Sequence, residues 1–535
     1  MKKPILILCI CTFYVRGILP LDKTDRVKFI DGSIIAKNDT GKPTLITIDY
    51  SDIGEFGPFI GYNLQTVAEK YNFDNPELFK AVRELKPAYL RFPGGSAGNW
   101  YHWETDGFKD EEVAYQGHNW GRSYMPFAQI HGDGKLGFVK FLEFCKKLKT
   151  EPSILFNIYT EDTDSPAKFV KYIKKLNIIP VKYGMLGCEN FCRPQAVLKF
   201  SGGIKEFIAA AEEAVKKIKE VDSDINLAVN LENFSVTAGI PGDWDSANLW
   251  DAMNKARNID GWNSTILEKK DVFDAIEVHY YLANRNCLKI SETDNVQEWY
   301  FKNWRYLVFF QLDYINAMTK ELDKYSPKPI WQDEGGLAYY ATTGTRGRIS
   351  RSMMAALNDA EYIFALGDMY PKYKRVLRHC LSSSKVWGIL GNYDIKTGTF
   401  EVHPPRYYVL KLLADINGCT QRLKCNISNF SQIKGLWSYE NKSMSVINAK
   451  IFRNDQVLYI YIVNRGPDNE KIEINSSKQL IYPEKIEYVG GYLDVTDYER
   501  CYDMDRSKIE EKAINGSSFE VAPFSLTRLT VKINE

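Results

Sequence analysis

The chain has 535 residues, with 69 Lys+Arg against 68 Asp+Glu and a formal net charge of +1. That balance lacks the clustered excess cation of a nucleic-acid binder. A content of 44% hydrophobic and 26% charged residues excludes a disordered chain, and 33 Tyr, 28 Phe and 11 Trp supply rings for a core or a ligand cleft.

Lys2 and Lys3 precede an apolar run from Ile5 to Val15, and Val15-Arg16-Gly17 offers compact residues for cleavage. This reads as a signal peptide over 1–17 and a secreted protein, extracellular or periplasmic. No later stretch reaches the roughly 18 apolar residues of a membrane span, so no membrane partner is expected. Removing that segment takes Cys9 and Cys11 and leaves eight Cys, an even number that suits disulfides. Cys419 and Cys425 are close enough in sequence to staple a small loop. There is no CxxC pair and no HExxH, so neither a structural zinc nor a catalytic metal is expected. Eight N-x-S/T sequons begin at Asn38, Asn233, Asn263, Asn426, Asn429, Asn441, Asn475 and Asn515.

Residues 18–56 read as a β segment able to join a carboxy-terminal sheet. From 57 to 418 short apolar runs alternate with helix-period stretches. The predicted strands are Pro58–Asn63, Ala88–Phe92, Ser153–Ile158, Tyr183–Cys188, Asn226–Asn230, Ala275–Tyr281, Pro329–Gln332 and Lys385–Leu390. Nearly continuous hydrophobicity is the mark of parallel strands covered on both faces. Helical stretches such as Leu136–Lys149, Gly203–Glu220 and Trp304–Tyr325 lie between them. Eight such units predict a (β/α)8 barrel. An open doubly wound sheet would want a Gly-rich phosphate loop, and no GxGxxG or GxxxxGK[ST] follows the first strand. Over 419–535 the helix signal stops and alternation such as Val457, Tyr459, Tyr461, Val463 predicts an antiparallel β-sandwich.

Barrel enzymes carry their chemistry at the carboxy-terminal ends of the strands. Glu189 ends the fourth predicted strand and Glu334 the seventh. Two carboxyls facing one cleft can divide the work of glycosidic cleavage, one protonating the leaving oxygen and one attacking the anomeric carbon. Arg91 at the second strand end can orient a carboxylate, or can be a structural ion pair. Asn157 can bond substrate or simply turn the chain. His279 with Tyr280 or Tyr281, and the rings Trp100, Trp103, Tyr115 and Trp120, can line a sugar site or pack. Asp333 reads as a structural hydrogen-bonding group. No Ser sits in a G-x-S-x-G elbow.

Leu90-Arg91-Phe92-Pro93-Gly94-Gly95, five residues, then Tyr101-His102-Trp103 resembles a run of the family 51 glycoside hydrolases, α-L-arabinofuranosidases of clan A. Phe138–Asn157, His279-Tyr280-Tyr281, Asp333-Glu334, Pro405–Leu413 and Ala522–Val531 resemble further parts of that family, so the likeness extends over nearly the whole mature chain. It implies a retaining double displacement with Glu334 as nucleophile and Glu189 as acid/base, no cofactor, and a polysaccharide or oligosaccharide substrate from plants or algae. Substrate contacts are implied for Gln65, Arg91, Ser96, Trp103, Asn157, Cys188, His279 and Tyr281. The departures matter. Cys188 stands where the family has an Asn that bonds the sugar hydroxyl beside the anomeric carbon, and a thiol is a poor donor. Gln65 replaces a Glu and Ser96 an Asn. A bond from Cys188 to Cys192 would brace Glu189. These changes leave two alternatives: a heparanase-like endo-β-glucuronidase of the same clan, or a barrel with weakened catalysis that binds carbohydrate or is structural.

Overall fold

In a computed structural model, the described residues are 35–38, 41–64, 66, 71–109, 135–190, 203–231, 262–269, 271–281, 296–323, 327–337, 352–381, 388–390, 393–394, 399–400, 404–436, 439–493 and 508–534. Residues 1–17, Gln65, Tyr115, Trp120, Cys192 and Asn233 lie outside them, so the targeting expectation is not addressed by the fold. No helix among the described residues is long and apolar enough to cross a membrane.

Eight parallel strands close into a barrel in simple chain order. They are Ile60–Asn63, Tyr89–Phe92, Glu151–Phe156, Tyr183–Leu186, Asn226–Asn230, Ala275–Tyr281, Ile330–Gly336 and Tyr373–His379. The (β/α)8 expectation is borne out, with one correction. The eighth strand is Tyr373–His379, whereas the predicted Lys385–Leu390 falls mostly outside the described residues. Arg375 and Arg378 make the true strand look solvent-exposed in sequence, yet both are buried. Arg375 donates from Nε to Asp333 Oδ1 at 2.7 Å, and its guanidinium lies 3.8 Å from the Trp331 ring centroid. Arg378 pairs with Asp359, which also takes Arg406 Nε at 2.7 Å. Ion pairing and ring contact replace the apolar surface that the hydrophobic-run argument looks for.

The helices that return the chain between strands carry readable signals. Pro76–Glu84 starts on Asn75, whose side chain accepts from Glu77 N and Leu78 N, with Pro at the first turn. Phe138–Leu148 buries Phe138, Phe141, Leu142, Phe144 and Cys145 along one stripe and ends on Lys149 at φ 58°. Met353–Gly367 was not anticipated. Ser352 caps it, and every one of its residues is buried between the barrel and the carboxy-terminal sheet, so it has no polar face to set a period.

The carboxy-terminal β domain is one ten-stranded sheet curled over its own core. The expected sandwich is corrected in one respect: its strands are not all antiparallel. Glu470–Asn475 runs parallel to Thr44–Glu55, while Gln421–Ser428 pairs antiparallel with the other edge of the same amino-terminal strand. The domain is fastened to the barrel by Glu361, which takes Arg465 Nε and Nη2 at 2.7 Å each, and by Trp304 Nε1 donating to Arg465 O at 3.0 Å.

The expected staple between Cys419 and Cys425 is absent, since both are free thiols. Cys419 is itself extended and Gln421–Ser428 continues as a strand, whose residues 421–425 alone span about 13 Å, so the two Cys are carried well apart. A disulfide needs Cα atoms within about 7 Å. Cys419 Sγ instead faces Asp415 O, and Cys425 Sγ faces Ala449 O, each at 3.4 Å.

Candidate active site

The fourth strand ends at Leu186, and the chain turns sharply at Gly187, φ 70°, where a Cβ would sit 2.1 Å from Asn190 Nδ2. Glu189 follows at φ 49°, a left-handed conformation that non-glycine residues adopt at a cost and that is concentrated at working sites. Two side-chain amides hold the turn, one from the 3-10 helix Ser96–Trp100 and one from a strand end. Asn99 donates to Cys188 O at 2.7 Å and accepts from Cys188 N at 2.9 Å, while Asn230, closing the fifth strand, accepts from Glu189 N at 3.1 Å.

Across the barrel mouth, the register between the sixth and seventh strands slips so that Val278 faces Gln332 and His279 faces Glu334. Asp333 is the extra residue of this bulge. A bulge lets two successive side chains leave the usual alternation, and here Asp333 meets Arg375 inside the barrel while Glu334 reaches the mouth. Glu334 Oε1 receives Arg91 Nη1 at 2.7 Å, Asn63 Nδ2 at 3.1 Å and Cys188 Sγ at 3.6 Å. Gly95 lies against the same oxygen, since a Cβ there would stand 2.7 Å from it.

His279 connects the two carboxyls. Its Nδ1 is 3.0 Å from Glu189 Oε1 and 3.7 Å from Glu334 Oε2, and its Nε2 is 3.0 Å from Glu277 Oε1. Burial opposes a charge on this ring, but Glu334, Glu189 and Glu277 outweigh it and push the imidazolium up to about 10. Burial likewise opposes the Arg91 charge, and the Glu277 and Glu334 carboxylates beside it raise it well beyond the usual range. Burial, then Glu334, pushes the Cys188 thiol up, so it stays protonated and donates. Burial pulls His379 down, leaving a neutral ring whose Nδ1 accepts from Asn63 Nδ2 at 3.0 Å.

Of the residues expected at the site, Glu189, Glu334, Arg91, Cys188 and His279 come together. Arg91 is fully buried with its two terminal nitrogens on Glu334 and Glu277, so it does not offer a cation to an incoming uronate. Cys188 is a free thiol facing Glu334, not a partner of Cys192. Asn157 is placed as a turn former: Oδ1 accepts from Tyr159 N and Thr160 N, and Nδ2 donates to Tyr101 O and Thr160 Oγ1. Trp103 is placed in packing, its ring stacked on Phe169 at 5.4 Å and Nε1 donating to Ser165 Oγ at 2.9 Å. Trp100 packs edge-on to Tyr159, and Tyr280 packs behind the barrel, its hydroxyl 3.0 Å from Tyr373. Ser96 begins a short 3-10 helix and Tyr281 ends the sixth strand; their side chains lie outside the described set.

Sequence reasoning missed Asn63, Asn99, Asn230, Glu277 and His379. Asn63, Asn230 and His379 each end a barrel strand, a usable signal. Glu277 is flagged by being a carboxylate in the otherwise apolar strand Ala275–Tyr281, two residues before His279 and so on the same face. Among the described residues, Cys188, His279 and Glu334 are the group whose ligand atoms converge closely enough, within 4.8 Å, to consider a metal. Their chemistry does not favour one. Arg91 already occupies Glu334, carboxylates occupy both His279 nitrogens, and the thiol keeps its proton. The arrangement, two carboxyls on either side of His279 Nδ1 at the carboxy-terminal end of the barrel, is suited to proton transfer and nucleophilic attack.

No family model matches the chain. A curated intracellular exo-α-L-arabinofuranosidase of Bacteroides ovatus is 28% identical over 129 residues, 22% of this chain and 24% of that protein; the match thus spans about a quarter of that relative. The solved family 51 arabinofuranosidase of Xanthomonas axonopodis pv. citri superposes with TM-score 0.64 at 14% identity, covering 92% of this chain and 100% of the other. The α-L-arabinofuranosidase of Thermotoga maritima, solved with arabinose, gives TM-score 0.58 at 18% identity, covering 91% and 100%. Closed barrel, curled sheet and these superpositions together show that the chain has the fold of the family 51 α-L-arabinofuranosidases.

Proposed function

We propose that the chain is a retaining glycoside hydrolase, arabinofuranosidase-like in its chemistry, with Glu334 as nucleophile and Glu189 as acid/base. The observation that carries the reading is His279 Nδ1 between the two carboxyls, at 3.0 Å and 3.7 Å. Those distances bring one oxygen of each carboxyl within about 6.7 Å of the other, a closeness that suits the retaining spacing of about 5–5.5 Å between carboxyl groups. Inverting pairs stand about 6.5–9.5 Å apart.

Arg91, Asn63 and Cys188 fix Oε1 of Glu334, and Oε2, 3.7 Å from His279 Nδ1 on the side of Glu189, is assigned as the attacking oxygen. In the first step Oε2 bonds to the anomeric carbon while the bond to the leaving oxygen breaks, and Glu189 gives that oxygen its proton. In the second step Glu189 takes a proton from water, the water oxygen bonds to the anomeric carbon, and the ester electrons return to Glu334. The fold likeness and the Bacteroides relative support an arabinose- or xylose-containing polysaccharide of plants or algae, or its side chains, as substrate. Lys2, Lys3 and the run from Ile5 to Val15 support action outside the cytoplasm.

The test is a panel of pentoside, hexoside and uronide aryl glycosides given to the wild type, Glu334→Ala and Glu189→Ala. Turnover abolished by Glu334→Ala, with the first-formed anomer by NMR matching the substrate, is the expected result. Activity that survives Glu334→Ala, or an inverted product, refutes the mechanism. Glycan binding with no turnover on any substrate favours a non-hydrolytic barrel.

A further inference from the structure

Glu277 is a third carboxylate of the site, and nothing in the double displacement uses it. Its side chain is fully buried beneath both catalytic carboxyls. One oxygen, Oε1, receives Arg91 Nη2 at 3.1 Å and His279 Nε2 at 3.0 Å. The same arginine holds Glu334 at 2.7 Å, and the other nitrogen of the same ring holds Glu189 at 3.0 Å. Glu277 is therefore the joint between the nucleophile's support and the acid/base's support.

We propose that Glu277 is a permanent counter-charge that keeps the catalytic cluster electrically neutral on both sides of the glycosyl transfer; this rests on the double-displacement reading above. Before the first step the cluster holds two cations, Arg91 and the His279 imidazolium, against ionised Glu334 and ionised Glu277, with the proton on Glu189. After it, Glu334 is a neutral ester and Glu189 has lost its proton, so Glu189 and Glu277 now balance the same two cations. The charge moves from one catalytic carboxyl to the other and the sum stays at zero. Without the Glu277 charge the cluster would be positive at both stages, facing a transition state that is itself oxocarbenium-like and positive. A preorganised charge in a buried site acts on the transition state without reorganisation.

The other titratable neighbours do not disturb the sum. Asp333 on the seventh strand is matched by Arg375 from the eighth. Cys188 on the fourth strand stays a thiol, and His379 at the end of the eighth is a neutral imidazole. On balance burial raises the Glu277 carboxyl; what favours its ionised form is the pair of cations, Arg91 Nη2 and His279 Nε2, placed at 3.1 Å and 3.0 Å on Oε1.

The experiment compares Glu277→Gln and Glu277→Asp with wild type on whichever aryl glycoside the wild type cleaves. Glu277→Gln keeps the shape and removes the charge. The expected result is a fall in kcat of about 10²-fold, with both limbs of the kcat/KM profile moved to lower pH because a positive cluster favours ionised carboxyls. Glu277→Asp retains the charge and restores the limbs toward wild type. Wild-type kcat and limbs in Glu277→Gln would overturn the proposal, because that side chain mimics a neutral Glu277. A second measurement needs neither activity nor a folded variant: NMR of 15N-histidine-labelled wild type. A ring staying doubly protonated to high pH, near 10 for His279, is expected; all six His titrating in the ordinary range would overturn it. Activity that survives Glu334→Ala sinks the hydrolase reading instead, and leaves the titration result standing.

Discussion

Replacing Arg91 with Met tests the support of the site through stability, independent of any substrate. Met keeps an unbranched side chain in the barrel but removes a guanidinium that is wholly buried. Two charge-assisted contacts disappear, to Glu334 at 2.7 Å and to Glu277 at 3.1 Å. Hydrogen bonds to charged groups contribute about 1.5–3 kcal/mol each, and removing one partner of a buried pair costs about 3–5 kcal/mol. The two routes agree, so a loss of about 3–5 kcal/mol near neutral pH is expected. The loss has a pH signature. In the variant Glu277 keeps His279 and Glu334 keeps Asn63 and Cys188, but with the guanidinium gone both buried carboxyls favour their protonated forms, so their folded-state pKa values rise above the unfolded ones. Below both values the carboxyls are neutral in either state and the penalty vanishes; it grows as pH rises through the unfolded carboxylate range toward neutrality. Urea unfolding of both proteins between about pH 4 and pH 7, followed by near-UV circular dichroism, reads this out. A deficit below about 1 kcal/mol, or one equal at every pH, would refute the charge-support argument.

Two further substitutions probe other parts of the design. Gly95→Ala places a methyl 2.7 Å from Glu334 Oε1; a displacement of about 1 Å costs about 10²-fold in rate, so kcat falls steeply while the melting temperature stays near wild type, and a wild-type kcat would contradict the assigned nucleophile geometry. Glu361→Ala strips the carboxylate from Arg465, which it holds by two contacts of 2.7 Å; a loss of about 3–5 kcal/mol is expected, seen by calorimetry as a lower and broader transition, and an unchanged thermogram would show that this clamp is not what joins the sheet to the barrel.

The parts of the fold that were legible in sequence are those held by plain hydrophobic burial. Asn226–Asn230 and Ala275–Tyr281 were located to the residue, because buried parallel strands read as apolar runs. The argument failed where polar groups are buried in pairs. Tyr373–His379 carries Arg375 and Arg378, whose acidic partners come from Asp333 and Asp359, distant in sequence. Met353–Gly367 has no exposed face, so amphipathic periodicity has nothing to report. At the site, Glu189 and Glu334 were visible because strand ends are privileged positions in a barrel. Glu277 was not, since it lies within a strand and acquires meaning only through His279, two residues along the same strand, and Arg91, which comes to it from the second strand. Trp103 and Asn157 show the reverse error: a residue type suited to sugar contact is equally suited to stacking on Phe169 or to closing a turn.

The amino-terminal strand Thr44–Glu55 has a consequence for biosynthesis. It is made before any barrel strand, yet both of its neighbours, Gln421–Ser428 and Glu470–Asn475, emerge only after the barrel is complete. Throughout translation it carries two open hydrogen-bonding edges and the side chains of Ile46 and Ile48, which end in the core. Pairing so distant in sequence is slow to form, and an unpaired strand waiting this long is an invitation to aggregation or chaperone capture. Trimming the chain at Ile60 to isolate the barrel would remove an interior strand of the sheet, and trimming after Leu413 would strip the cover from Met353–Gly367. Recombinant production should therefore keep both ends of the fold together.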